Sequence, residues 1–283
     1  MKLFQKSKTI PPRADLHMHS VFSDGKSTPS ELVDLAKAHH LTAIAITDHD
    51  VMDAYPDICE YGKRQNVEVI PGVELSANYQ EKDVHILGYF VDPEHPELKA
   101  TMRHCRESRH ERAKQMVEKL NQQNVNISFD RVAEIAGEGA IGRPHIAQAL
   151  LESGYVYEWQ EAFHRFIGYH NEAYVAKAGL SPAEAFRLIH DAGGIAVWAH
   201  PGSIRQDKWL TEFVAQGLDG LEVHHPVHDP HRRRQYAALA RKYGLIPTGG
   251  TDFHGDPQTT PAIGAISVSY DVVKQMKRRT ADQ

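Results

Sequence analysis

Asp15-Leu16-His17-Met18-His19-Ser20 is the stretch on which the fold reading turns. Alternate side chains of a β-strand share one face, so His17 and His19 aim two imidazoles at one point. Similar placements recur along the chain. Asp48-His49 closes the apolar run 42–47, and Asp252-Phe253-His254 follows the run 247–251. Glu74 follows 67–73, His85 lies within 84–87, and His200 follows 195–199. Ligand-type side chains at the C-terminal ends of so many candidate strands predict a metal-dependent active site, because barrel enzymes build their sites there.

Composition bounds the reading. The 283 residues suffice for one large domain, or for a barrel carrying an insertion. The 41% hydrophobic and 24% charged content belongs to a globular protein. A net charge of −5 argues against a broad nucleic-acid-binding surface but leaves room for a local basic pocket. Nineteen histidines are far above ordinary usage. His39, His40, His104, His110 and His231 sit in polar, helix-like stretches and read as surface residues. Cys59 and Cys105 lie in helix-like segments, which predicts no disulfide framework and fits the reducing cytoplasm. Residues 1–10 are too short and polar for a signal peptide, and no apolar run approaches the roughly 20 residues of a membrane span. A cytoplasmic protein is expected.

Helix and strand signals alternate. Thr28-Pro29-Ser30-Glu31 and Ser181-Pro182-Ala183-Glu184 are capping boxes with proline at the first helical position. Strands are expected near 42–48, 67–74, 84–90, 195–200, 220–225, 247–251 and 263–269, with helices near 53–64, 208–216 and 230–243. This alternation predicts an α/β fold with a parallel sheet, and the repeat count suits a barrel better than an open sheet. Residues 97–168 break the rhythm with helices near 97–123, 129–136, 143–153 and 158–167. The expected organisation is a barrel first part (1–96), a small all-helical insertion (97–168) covering the mouth, and a barrel second part (169–283).

Assembled, the motifs Asp15-Leu16-His17-Met18-His19-Ser20, Thr47-Asp48-His49-Asp50, Pro71-Gly72-Val73-Glu74, Ala199-His200-Pro201 and Thr251-Asp252-Phe253-His254 resemble the PHP (polymerase and histidinol phosphatase) family of metal-dependent phosphoesterases. Gly142-Arg143-Pro144-His145 and Glu222-Val223-His224-His225-Pro226 are similar to its TrpH-type branch, with RNase AM 5′→3′ exoribonucleases and 3′,5′-nucleoside bisphosphate phosphatases. The resemblance implies a distorted (β/α)7 barrel binding two or three divalent ions. It implies one ion on His17, His19, Glu74 and Asp252, a second on Glu74, His85 and His200, and a third on Asp24, His49 and His254. Asp24 lies in the turn-like Ser23-Asp24-Gly25 and could instead cap that turn.

Donor chemistry agrees independently. Imidazole with carboxylate suits Mn2+, Zn2+ or Fe2+ better than Mg2+ or Ca2+, and manganese is the expected ion. A carboxylate bridging two ions holds them about 4 Å apart, where a bridging hydroxide can attack phosphorus. A dry core would not tolerate so many ionisable groups without metal. No serine nucleophile, glycine-rich phosphate loop or Walker-type lysine stands out. Glu74, Asp252 and His225 are the candidate catalytic residues.

Arg143, Lys177, His225 and Ser20 are the candidate substrate contacts. Arg143 precedes Pro144 where a helix begins, so guanidinium and helix terminus could address one anion, or the arginine could be solvated. Lys177 leads the chain back to the barrel and could reach the mouth or face solvent. His225 faces the site if its strand alternates, as a phosphate contact or general acid, and could otherwise be packed or exposed. His224 would then point away, and Arg232-Arg233-Arg234 reads as a solvated helix face.

The implied activity is hydrolysis of nucleotide phosphoesters: 5′→3′ trimming of RNA, and removal of the 3′ phosphate from a 3′,5′-bisphosphate such as pAp. The expected partners are RNA 5′ ends or such small nucleotides. Histidinol-phosphate phosphatase activity and a noncatalytic PHP binding module are the alternatives. An amidohydrolase label is disfavoured, since Glu74 bridges and no lysine offers a carbamate.

Overall fold

A computed structural model describes residues 11–55, 57–137, 139–176, 179–256 and 260–281. Its eight-stranded sheet comprises β1 (Arg13–Asp15), β2 (Ala43–Ile46), β3 (Glu68–Tyr79), β4 (Lys82–Tyr89), β5 (Ile195–Trp198), β6 (Gly220–His224), β7 (Ile246–Gly249) and β8 (Val268–Ser269). The α-helices are α1 (Pro29–Ala38), α2 (Asp57–Gln65), α3 (Pro96–Gln122), α4 (Phe129–Ala136), α5 (Arg143–Glu152), α6 (Trp159–Ala162), α7 (Pro182–Asp191), α8 (Leu210–Ala215), α9 (Pro230–Tyr243) and α10 (Tyr270–Ala281). Thr28 and Ser181 cap α1 and α7 in the capping boxes their sequences announce.

The strands run in the order β7-β6-β5-β4-β3-β2-β1-β8. The ends meet beyond the regular strands. Leu16 N donates to Gly249 O at 3.2 Å, Asp252 N to His17 O at 2.9 Å, and His19 N to Phe253 O at 2.9 Å. The His17/His19 segment therefore lies beside Asp252-Phe253-His254, and the sheet is a nearly closed barrel. Ala14, Leu16, Ala43, Ala45, Leu87, Tyr89, Val197 and Ile246 form one buried cluster. That cluster is the barrel interior, because the Tyr89 hydroxyl on β4 crosses to donate to Leu16 O at 2.9 Å. The alternating partners Ile44, Ile46, Val73, Leu75, Ile86 and Trp198 pack outward with the helices.

Two expectations need correction. The sheet is not parallel throughout: β4 is antiparallel to both β3 and β5. β3 and β4 form a hairpin whose turn residues, Gln80 and Glu81, both take left-handed backbone (φ 48° and 63°), as the twist of a two-residue hairpin requires. Reversal explains why His85, early in β4, reaches the barrel end where other strands finish. The strand expected over 263–269 is reduced to β8, paired antiparallel with β1. α10, which the sequence reading did not anticipate, follows it and buries Val273 and Met276 in the cluster of the barrel interior.

α3 belongs to two cores. Leu98 and Met102 pack with the barrel's outer layer, whereas Met116, Val117 and Leu120 join Val132, Ile146, Leu150 and Ile167 in a separate cluster. Arg109 and Arg112 are buried between these two stretches of α3.

Gly250 sits at the barrel seam, where a Cβ would lie 2.4 Å from His17 N and 2.6 Å from His17 Cβ. Gly250→Ala should cost about 1–3 kcal/mol by overpacking against a backbone that cannot yield. It should also weaken metal binding by displacing His17. Chemical denaturation and metal titration check this, and wild-type values in both would refute it.

Candidate metal centre

Glu74 lies on β3 with its carboxylate 1% exposed. Its two oxygens face different histidines. Oε1 is 2.8 Å from His85 Nδ1 and 3.0 Å from His200 Nε2. Oε2 is 3.3 Å from His17 Nε2, 3.2 Å from His19 Nε2 and 3.1 Å from His49 Nδ1. Asp252 Oδ1 stands 3.3 Å from His17 Nε2 and 3.1 Å from His19 Nε2. Donors held about 2.1 Å from one ion in a tetrahedron stand roughly 3.4 Å apart, so His17, His19, Glu74 and Asp252 have the spacing of a ligand shell.

Asp24 Oδ1 lies 3.3 Å from His254 Nε2, and Asp24 Oδ2 lies 3.9 Å from His49 Nε2. Asp24 does not cap its turn. Ser20 O accepts from Ser23 N and Gly25 N, which closes that turn with backbone alone. Among the described residues, four donor groups result: His19, Asp24, His49 and His254; His17, Glu74 and His200; His49, Glu74 and His85; and His17, His225 and Asp252. His19 thus also stands beside the Asp24 group, and His225 beside Asp252, Nε2 to Oδ2 at 3.3 Å.

The donor atoms fit cations. His19 Nε2, His49 Nδ1 and Asp24 Oδ1 are buried without a hydrogen bond among the described residues. They converge on neighbouring donors without directional hydrogen bonds, as atoms sharing a cation would. Left to themselves, the protein groups form a charged lattice. Burial would raise the Glu74 carboxyl, but His49, His85 and His17 hold it well below the usual range. Asp252 is lowered against burial by His17 and His254, and Asp24 by His254 and His49. Burial would lower His19, yet Asp252, Glu74 and Asp24 push it up to about 10.

Backbone geometry aims these side chains. His200 and Asp252 take positive φ, 28° and 50°, a conformation that costs non-glycine residues of order 1–3 kcal/mol and clusters at functional sites. Glu222, fully buried on β6, holds both sides. Its Oε1 is 3.0 Å from His17 Nδ1, and its Oε2 accepts from His200 N at 2.7 Å. A carboxylate on the far nitrogen fixes a ligand imidazole's tautomer and orientation. A register shift between Glu222 and His224 lets Glu222 and His225 both face the site. Strict alternation would have separated them, and this is why the reading singled out His225 but gave Glu222 no role.

Ser20 is not at the substrate position expected of it. Its hydroxyl is fully buried and donates to Asp48 Oδ2 at 2.6 Å. Ser23 Oγ donates to Asp48 Oδ1 at 2.6 Å and lies 3.3 Å from His19 Nδ1. Asp48 therefore anchors the loop that carries His19 and Asp24. Lys177 lies outside the described residues. The five histidines read as surface residues are exposed.

The donor cluster opens into a cavity that Arg143 also lines, together with Lys82, Arg109 and Arg112, which the sequence reading missed. Arg109 is committed elsewhere, its Nε donating to Asp50 Oδ2 at 2.6 Å. Arg143 and Arg112 approach a single carboxylate, Asp83 Oδ2, at 3.3 and 3.6 Å. Asp83 precedes His85 by two residues on β4, so the cations stand roughly 7 Å along the strand from the donor cluster. The signal was available in the alternation Lys82-Asp83-Val84-His85, but nothing local ties it to Arg112 on α3 and Arg143 on α5.

A barrel mouth with divalent-cation donors beside an arginine wall defines the class of metal-dependent phosphoesterases. The PHP domain family matches residues 15–168, more than half the chain, and the chain belongs to that family. It is 34% identical over 246 residues to a 3′,5′-nucleoside bisphosphate phosphatase of Chromobacterium violaceum, covering 85% of this chain and 86% of that one. It is 34% identical over 247 residues to the 5′-3′ exoribonuclease Rnm of Escherichia coli, covering 85% and 84%. A solved structure from Bifidobacterium adolescentis, provisionally described as a metal-dependent phosphoesterase, superposes with a TM-score of 0.87 at 32% identity, covering 95% and 98%.

Because His19 holds its proton up to about pH 10 in the protein alone, an ion must displace that proton, and affinity should fall as pH falls. Calorimetric Mn2+ titrations at neutral pH in buffers of different ionisation enthalpy should show at least one proton released. Heats independent of buffer would contradict this.

His228 offers a separate test. Its Nδ1–H donates to Val223 O at 3.0 Å, and its Nε2 accepts from Gly202 N at 3.1 Å. A Cβ at residue 202 would lie 2.7 Å from Nε2, so glycine permits the approach. Burial first, with neighbouring His225, lowers this imidazole to about 4, keeping it neutral. His228→Phe should lower activity about 10- to 100-fold by loosening the loops that carry His200 and His225. Steady-state kinetics beside a melting curve separates this from unfolding, and unchanged kinetics would refute it.

Proposed function

We propose that this chain is a metal-dependent hydrolase of nucleotide phosphoesters, a 5′→3′ exoribonuclease that also removes the 3′ phosphate of small 3′,5′-bisphosphates such as pAp. The observation that carries the reading is the pairing of two sites in one cavity: the Glu74-centred donor cluster, and the Arg112–Arg143 wall a few ångströms along β4. A 5′-phosphorylated RNA end and a 3′,5′-bisphosphate share one shape, a phosphate one ribose away from the phosphoester to be cut. A monoester phosphatase would have no use for the second anion site. The similarity to relatives carrying both names supports the same reading.

His17, His19, Glu74 and Asp252 would hold one ion, Glu74, His85 and His200 a second, and Asp24, His49 and His254 a third. Mn2+ is the ion we favour, with Zn2+ or Fe2+ compatible with the same donors. Bound there, such ions activate water at neutral pH and stabilise the charge that develops on phosphate oxygens. The protein's own groups do the rest. Glu74 and Asp252 stay ionised, because the imidazoles around them hold their carboxyls low.

His225 carries a proton at a defined atom. Its Nδ1 accepts from Val227 N at 3.2 Å, which leaves the neutral ring's proton on Nε2, the nitrogen facing Asp252. From there it can donate to a phosphate oxygen or to the leaving alkoxide. Arg143 and Arg112 hold the neighbouring 5′ phosphate. Arg112 NH2 is buried without a hydrogen bond among the described residues, so its charge is only partly compensated. No helix of the described chain is long and apolar enough to cross a membrane. With both cysteines free, we place the enzyme in the cytoplasm, working on RNA 5′ ends, ribosomal RNA among them.

Mn2+-loaded protein should release mononucleotides from 5′-phosphorylated RNA and phosphate from pAp, and Asp252→Ala should lose both activities. Arg143→Ala should lose roughly 10- to 100-fold on 5′-phosphorylated substrates and far less on 5′-hydroxyl ones. Equal losses on the two would overturn the anion-wall assignment.

A further inference from the structure

Past the arginine wall, the same cavity continues onto aromatic rings supplied by the helical stretch between barrel segments. Trp159 opens α6, and Phe163, four residues on, opens a π-helical turn (Phe163–Ile167). That spacing puts both rings on one helix face, with centroids 4.6 Å apart. Both line the cavity that contains Glu74 and Asp252. The Arg143 guanidinium carbon lies 5.7 Å from the Phe163 centroid. One wall therefore runs from the donor cluster through a cation to aromatic faces.

These rings are unlike the protein's other tryptophans. Of three in the chain, Trp198 and Trp209 are 1% and 4% exposed, whereas Trp159 is only half-buried and opens to the cleft. A nucleotide branches at its ribose, so with the 3′ phosphoester at the donor cluster the 5′ phosphate and the base can rest on neighbouring parts of this one wall.

We infer that Trp159 and Phe163 form a stacking platform for the nucleobase of the 5′ nucleotide whose phosphate Arg143 holds. The inference rests on the nucleotide reading above and adds to it a recognition element for the base. Every base has a π-face, so stacking distinguishes a nucleotide from a bare sugar phosphate without reading sequence. The platform, carried by helices outside the barrel, would select the class of substrate while the barrel supplies the chemistry.

Two substrates test it: pAp and ribose 3,5-bisphosphate, which keeps both phosphates and lacks the base. Trp159→Ala should lose roughly 10- to 100-fold in kcat/KM on pAp, through KM, and less than about twofold on the ribose bisphosphate. Trp159→Phe should retain most activity. Chelator-treated wild-type protein gives a readout independent of folding in the variants. pAp should quench its tryptophan fluorescence through the half-buried, cleft-lining Trp159, and ribose bisphosphate should not. Equal losses on both substrates, or an unquenched wild type, would overturn the platform alone. Failure of the wild type to hydrolyse pAp and 5′-phosphorylated RNA would overturn the nucleotide reading and the platform together.

Discussion

One buried carboxylate organises this molecule. Glu74 is nearly inaccessible to water and has five imidazoles within 3.3 Å of its oxygens. An ionised group so placed is costly unless cations surround it. Its two oxygens divide those imidazoles, His85 and His200 on one, His17, His19 and His49 on the other, so the carboxylate belongs to two of the candidate donor groups at once. The five histidines come from the barrel seam, the loop after β2, the reversed strand β4 and the loop after β5. Each of these elements must keep its place for the cluster to exist.

The rest of the barrel supplies that constraint. The seam brings residues 16–19 against 249–253 by backbone hydrogen bonds, so the first and last motifs of the chain are adjacent in space. Glu222 ties His17 to the backbone of His200 across that seam. Asp48 fixes the loop carrying His19 and Asp24 through Ser20 and Ser23. Left-handed backbone at His200 and Asp252 is tolerated because these contacts over-determine it. The polar groups in this region thus form successive layers, with carboxylates and hydroxyls positioning the imidazoles that meet the ions.

The helical segment adds side chains of its own to the cavity that the donor cluster opens into. α3 starts on the barrel and ends in a core of its own, which carries arginines across the mouth. Arg112 and Arg143 share one carboxylate, Asp83, an arrangement that leaves positive charge facing the cavity. With Trp159 and Phe163 beyond them, the wall presents charge and then ring faces to whatever enters.

Local sequence determined a good deal. Alternation in strands, capping boxes and the position of ligand-type residues after apolar runs are short-range signals. From them came the barrel, α1, α7, α4 and α9, and eight candidate donors, which the structure brings to one mouth; the ninth, Asp24, lies in a turn-like stretch and was implied only by the family resemblance. What depends on contacts far apart in the chain was not legible. Nothing near Glu222 signals a partner more than two hundred residues earlier at His17, and the bulge that turns it inward alters a single register step. Ser20 was named as a substrate contact, yet its buried hydroxyl is spent on Asp48. The reversal of β4, the helix α10 and the meeting of Arg112, Arg143 and Asp83 were decided by packing. Sequence periodicity reports which face a side chain shares with its neighbours in the chain; only the closed barrel and the helices over its mouth decide which distant groups that face will meet.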